Sequence, residues 1–215
     1  CGSHSGVSIG EDGASQMGLE DIAIFRDLPN SIVFYPSDAV STEKLTLLSA
    51  KLNGIKYIRT TRATTPVIYQ NNEQFETGDF KVVKQNKKDK ITLIGSGITL
   101  HEALKAYEIL KKQNINASVI DLYCVKPFNA KKLINFVKKH GNKIVIAEDH
   151  YKEGGIGEML AENLENTNIK IKHLAINNII PHSGTRDELL DKYKINSRAI
   201  VEAVREISKW KKTLK

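Results

Sequence analysis

Apolar residues in this chain gather in short stretches of four to six positions, the length of a single strand, and the stretches between them carry a helical period. Residues 31–35, 56–60, 91–94, 117–121, 143–148 and 170–175 read as strands bounded by Pro, Gly, Asn or Asp. Residues 41–52, 100–112, 129–140, 188–193 and 197–209 read as helices, and so does 17–25, where Met17, Leu19, Ile22, Ile24 and Phe25 share a face and Ser15 is placed to cap the start. Short strands that alternate with amphipathic helices exclude an all-helical or all-strand fold and predict layered α/β architecture. Residues 67–90 are polar with little apolar period, and read as a linker into a second domain. A boundary near Phe75 divides the chain into domains 1–75 and 76–215.

No apolar run reaches the roughly twenty residues a membrane helix needs, and no signal peptide opens the chain. Composition, 40% hydrophobic and 27% charged, is that of a soluble globular protein. Cys1 and Cys124 stand too far apart in sequence to suggest a disulfide framework or metal-ligand spacing, so a reducing compartment, the cytoplasm, is expected. The net charge of +7 comes from lysine pairs such as Lys87–Lys88, Lys111–Lys112, Lys138–Lys139 and Lys211–Lys212. Aromatics are not interleaved with them as in a single-strand nucleic-acid groove, so they read as solvated faces and no nucleic-acid partner is expected.

Chemistry concentrates in the opening run HSGVSIGEDGASQ, residues 4–16, which reads as a surface loop. Gly6, Gly10 and Gly13 allow tight turns and close backbone approach, while His4, Asp12 and Gln16 supply an imidazole, a carboxylate and an amide. That set suits a polyol and a phosphate; an ordinary glycine-rich connection, with Gly2-Ser3-His4 as an expression remnant, is the plainer reading. Arg62 follows the strand 56–60 at its carboxyl end, where open α/β sheets gather ligands, and a guanidinium can grip a phosphate through two bonds. A solvated surface arginine is the competing reading there, and Arg59, on the other side of the strand, reads as structural. The Gly95-Ser96-Gly97 turn has too few glycines for a dinucleotide fingerprint even with Asp121 downstream, and is assigned to the fold. A second glycine turn, within EDHYKEGGIGEML, opens a helix whose free amides could bind an anion.

The run GVSIGEDGASQMGLEDIAIFR resembles the substrate and cofactor loop of the transketolase family, in its animal-type form with Gln after the GEDG turn. The likeness continues in order through FYPSDAVSTEKL, YIRTTR, ITLIGSGITLHEALKA and EDHYKEGGIGEML; residues 63–66 depart from the family pattern. The resemblance implies the remaining part of a thiamine-diphosphate pyrimidine-binding domain, followed by a C-terminal α/β domain with a mixed sheet. It implies transfer of a two-carbon ketol unit from ketose to aldose phosphates in the pentose phosphate pathway. His4 and Arg62 would hold the sugar phosphate, Asp12 a substrate hydroxyl, and Gln16 would face the cofactor, where an amide can hydrogen-bond but cannot shuttle a proton. Glu148 and His150 would serve packing or subunit contact. No catalytic residue or metal ligand is assigned to this chain.

By the same resemblance the chain is a fragment, inactive alone, that starts inside the middle domain. The GDG-type diphosphate and metal motif and the glutamate that activates the aminopyrimidine are missing, and the absence of an initiator Met agrees. Thiamine diphosphate, with magnesium or calcium, would be held mainly by a missing N-terminal part or chain, and a homodimer would form through the first domain. A pyruvate dehydrogenase β-like or deoxyxylulose-phosphate synthase-like subunit, or a non-catalytic dimerisation module, is the alternative; the GVSIGEDGASQ run favours transketolase.

Overall fold

The computed structural model describes residues 1–62, 64–177 and 180–209. Ala63, in the segment that departs from the family pattern, and Lys211 and Lys212 lie outside them. Two turns of 3-10 helix, Gly6–Asp12 and Ala14–Gln16, precede α1 (Asp21–Asp27), β1 (Ser31–Phe34), α2 (Ala39–Ala50) and β2 (Ile55–Ile58). There follow β3 (Lys81–Lys84), β4 (Thr92–Gly95), α3 (Ile98–Lys112), β5 (Ser118–Asp121), β6 (Cys124–Lys126), α4 (Ala130–Lys139), β7 (Lys143–Tyr151), α5 (Ile156–Asn163), β8 (Lys170–Ile176), α6 (Arg186–Lys192) and α7 (Ser197–Lys209).

The strands form two sheets, ordered β2-β1-β6 and β3-β5-β4-β7-β8. In the larger sheet β5, β4, β7 and β8 are parallel and β3 is antiparallel to β5, the mixed sheet that the resemblance implies. Strands β4, β5 and β7 are buried along nearly their whole length and read as apolar stretches, whereas the edge strand β8 is largely half-buried and alternates Lys170, Lys172 with Ile171, Leu174. The smaller sheet pairs β1 with β2 in parallel and borrows β6 from the far side of the chain, antiparallel to β1. A three-residue strand carries too little pattern to be read from sequence, and β6 was not.

Several local expectations give way to packing. The helix expected over 17–25 begins only at Asp21, because Met17 and Leu19 are drawn into a buried cluster with Val7, Ile9, Leu189 and Ile195; Ser15 caps nothing. Residues 67–90 are no free linker. Tyr69, Phe75 and Phe80 are buried, Phe75 standing edge-on to both Tyr69 and Tyr123, and β3 extends the large sheet. Lys111–Lys112 and Lys138–Lys139 fall in the last turns of α3 and α4, where cations meet the negative end of the helix dipole. Among the described residues no helix is long and apolar enough to cross a membrane.

The layout decides where a ligand can go. From β4 the chain passes to β5 on one side and β7 on the other, so the carboxyl ends of β4 and β7 form the switch point at which open α/β sheets take ligands. Here the first part of the chain fills that crevice. The Tyr35 ring lies over Gly97 and its hydroxyl donates to Asp149 Oδ1 at 2.8 Å. Ser37 Oγ accepts the Gly97 N–H at 2.9 Å and donates to Asp121 Oδ1 at 2.8 Å, and Tyr69 donates to Asp121 Oδ2 at 2.7 Å. The crevice is an internal seam, and the open surface is displaced toward the loop after β2.

Candidate functional site

The seam is fixed by one arginine. Arg59, at the end of β2, is fully buried, the structural role expected for it. Its Nε donates to Asp21 Oδ2 at 2.8 Å, Nη1 to Asp149 Oδ1 at 2.8 Å, and Nη2 to the carbonyls of Gly18 at 2.8 Å and Asp149 at 3.1 Å. Tyr57 adds a bond to Asp21 at 2.6 Å, and the guanidinium lies 4.5 Å from the Tyr35 ring centre. Burial pushes the Asp21 carboxyl up, but the Arg59 charge and the bonds from Arg59 and Tyr57 outweigh it and leave its pKa lowered. Burial wins at Asp149, whose pKa is raised and whose Oδ2 has no hydrogen-bond partner among the described residues.

This cluster clamps the opening segment. Gly6, with φ of 67°, runs so close to Asp149 that a Cβ there would sit 1.8 Å from Oδ2, and its N–H bonds the Gly18 carbonyl at 2.9 Å. The segment is therefore only in part the surface loop its composition suggests: Ser5 to Gly10 and Gly13 are buried, while His4, Glu11, Asp12, Ser15 and Gln16 are exposed. Gly10, with φ of 66°, passes over the entry to α6, where a Cβ would lie 2.9 Å from the Gly184 carbonyl.

Of the four residues expected at the site, the structure brings two into contact. Arg62 Nη1 donates to Asp12 Oδ2 at 2.8 Å, with both side chains about half exposed, and to the Ile9 carbonyl at 3.5 Å. The Arg62 N–H reaches Ser8 Oγ at 3.3 Å. His4, at φ of 64°, is exposed, and its Nδ1 hydrogen-bonds the neighbouring Ser3 hydroxyl at 2.8 Å. Gln16 is exposed at the end of the second 3-10 turn. Neither touches the Arg62–Asp12 pair.

Arg62 opens onto a cleft of about 740 Å³ whose other wall is Thr185, Arg186 and Asp187. Those residues were not singled out in the sequence, since they lie more than a hundred positions from Arg62. The spacing of Thr185 and Glu188 marks a helix start: Thr185 Oγ1 accepts the Glu188 N–H at 3.4 Å and Glu188 Oε2 accepts the Thr185 N–H at 2.9 Å. With two guanidinium groups and the hydroxyls of Ser8, Thr64 and Thr185 as donors, and the carboxylates of Glu11 and Asp187 as acceptors, the cleft has the groups an anionic, hydroxylated ligand needs.

The glycine turn before α5 is not an anion site. Glu148 Oε2 accepts the Ile156 N–H at 2.6 Å and Oε1 the Gly157 N–H at 3.0 Å, and His173 Nε2 closes on Oε1 as well. The protein's own carboxylate occupies the helix terminus. His150 is buried with Nδ1 donating to the Tyr151 carbonyl at 2.7 Å, so both residues serve packing, as expected.

Among the described residues no group of three His, Cys, Asp or Glu could hold a metal ion. The exposed Gln16 amide offers a donor and an acceptor, which fits one polar contact to a heterocyclic cofactor but not the anchoring of a diphosphate.

Comparison with known proteins gives these features a family. A model of the transketolase C-terminal domain matches residues 80–200, and one of the transketolase pyrimidine binding domain matches residues 1–67. Transketolase-like protein 1 of Bos taurus is 51% identical over 207 residues, 96% of this chain and 35% of the relative. Transketolase of Homo sapiens is 50% identical over 206 residues, 95% of this chain and 33% of the relative. The chain thus spans about a third of the length of these relatives. A solved structure described as a split gene transketolase, inactive beta4 tetramer, superposes with a TM-score of 0.83 at 32% identity, covering 95% of this chain and 64% of that one. Transketolase from Leishmania mexicana has a TM-score of 0.73 at 20% identity over 96% of this chain and 29% of that one, a likeness of fold.

Proposed function

The chain belongs to the transketolase family, and from that premise we propose that it supplies the sugar-phosphate half of a ketol-transfer site completed by an N-terminal part or chain. The observation that carries the reading is the Arg62–Asp12 pair at 2.8 Å on the lip of the 740 Å³ cleft. The pair fixes the guanidinium of a residue that lines the opening. An arriving phosphate competes for the same donors, and releases Asp12 to accept from a sugar hydroxyl nearby. His4 assists at the phosphate, and Gln16 offers its amide to the cofactor.

Thiamine diphosphate, when bound, supplies the nucleophilic carbon and the electron sink of the reaction. Its diphosphate and a magnesium or calcium ion are assigned to the N-terminal part. The substrates are ketose and aldose phosphates of the pentose phosphate pathway, and the setting is the cytoplasm, in keeping with the free thiols of Cys1 and Cys124.

The active form contains two copies. Ile24, Leu47, Ile55 and Val67 are exposed, all in the region matched by the pyrimidine binding domain, and β2 is an edge strand paired on its outer side, among the described residues, only by a bridge from Gly2 to Arg59. These side chains and the open strand edge are what this region offers a second copy. A split-gene relative described as an inactive tetramer supports the view that this chain alone does not turn over.

The test is a ketol-transfer assay with and without a chain carrying the N-terminal part, with phosphorylated and non-phosphorylated acceptors. Turnover is expected only with both parts. Arg62→Ala should raise KM for phosphorylated substrates by a factor equivalent to about 2 kcal/mol and change non-phosphorylated ones far less. Equal losses on both classes would refute the phosphate assignment.

A further inference from the structure

Behind the Arg62 cleft lies a second cavity, of about 330 Å³, between the chain after β2, the first turns of α3 and α6. Thr64 and Arg186 line both spaces, so Arg186 stands on the partition. The walls of the inner cavity are mostly apolar: Ile68, Ile98, Leu104 and Leu190.

Its polar groups have a definite sign. His101 Nε2 lies 2.7 Å from the Ser37 carbonyl, which can only accept, so Nε2 carries the hydrogen and Nδ1 is left as an acceptor. Burial lowers the His101 pKa and keeps the ring neutral. Glu102, a buried carboxylate, is already satisfied by Lys105 Nζ at 2.7 Å and the Ser197 N–H at 2.8 Å. Arg186 has a single long contact, Nε to Asp187 at 3.3 Å, and its two Nη groups bond to no described residue. A cavity at the small end of the ligand-pocket range thus joins an apolar chamber to one under-used guanidinium.

We infer that this inner cavity is a binding site for a small organic anion with an apolar body, such as an aryl phosphate or aryl carboxylate. The apolar body fills the space between Ile68, Ile98, Leu104 and Leu190, and the acidic group meets the Arg186 Nη donors. An isolated phosphate gains nothing from the chamber, and a neutral apolar molecule leaves Arg186 unanswered. The inference does not depend on ketol transfer, since the ligand need not reach Arg62.

Titration calorimetry of the full chain with phenyl phosphate and with inorganic phosphate tests it. Phenyl phosphate is expected to bind at least about tenfold more tightly than inorganic phosphate. Arg186→Ala should weaken phenyl phosphate by about tenfold or more. Thr65→Trp, which fills the chamber from a loop, should abolish the advantage of the ring and leave inorganic phosphate unchanged. Arg62→Ala should leave phenyl phosphate bound, which separates this site from the outer cleft. Equal affinity for the two probes, the same Kd for phenyl phosphate in the native chain and both cavity variants, or no binding of phenyl phosphate because another chain covers the cavity, would overturn it. Circular dichroism verifies that each variant is folded.

Discussion

Asp121 shows what a single buried carboxylate does to this molecule. It receives hydroxyls from Ser37 and Tyr69, but burial dominates, and its pKa is pushed up to about 7. The folded state therefore keeps a proton that the unfolded chain releases near its ordinary value of 3.8. Between those limits the unfolded state binds fewer protons than the native one, so stability falls as pH rises from about 4 to about 7. The loss is on the order of 4 kcal/mol in all and is complete above the folded pKa. Urea denaturation at pH 5 and pH 8 should show this fall in the native chain and a much smaller one in Asp121→Asn, which cannot ionise. An equal fall in both would assign the pH dependence to other groups.

At the scale of elements, α2 illustrates how one cap can organise two segments. Asp38 Oδ1 accepts the Ser41 N–H at 2.7 Å as an N-cap, while Oδ2 accepts the N–H groups of Ile68 at 2.7 Å and Tyr69 at 3.0 Å. The same carboxylate starts the helix and holds the chain that leaves the first sheet. Asp38→Ala should thus cost more than the roughly 1 kcal/mol of an ordinary cap, on the order of 3 kcal/mol, because two further amides lose their acceptor. Asp38→Asn, which keeps one acceptor, should cost less. Denaturant melts of the two variants measure the difference, and a loss no larger than an ordinary cap would show that water replaces the lost bonds.

For the whole molecule the decisive contact is Arg59, which joins β2, α1, β7 and the opening segment through Asp21, Asp149 and Gly18. Removing the guanidinium leaves two inward-facing carboxylates with no counter-charge. Arg59→Met should destabilise the protein by about 3–5 kcal/mol. Replacing the three charges together, Arg59→Met with Asp21→Asn and Asp149→Asn, should recover part of that loss. Hydrogen exchange in Arg59→Met should rise both around Gly6 and in β7, since the cluster ties them together. A rise confined to β2 would mean that the two layers hold without it.

The sequence by itself determined what depends on period and local chemistry. The alternation of short apolar stretches with helical ones settled an α/β fold, and ordered motifs from GVSIGEDGASQ to EDHYKEGGIGEML pointed to the family, whose resemblance implied the mixed sheet. It also identified Arg59 as structural and placed Arg62 at a strand's carboxyl end. Only the tertiary structure decided what fills the switch-point crevice, because Tyr35, Ser37 and Arg59 meet Asp121 and Asp149 across 84 to 114 positions. The half-buried course of residues 4–16 was hidden for the same reason: polar and glycine-rich by composition, the segment is held down by Asp149 and Gly18 from beneath. Pairing of Arg62 with Asp12, and the presence of Arg186 on the opposite wall, likewise follow from how the opening segment packs on α6. A side chain's neighbours along the chain set its backbone preference; the neighbours that set its charge, reach and solvent are chosen by packing.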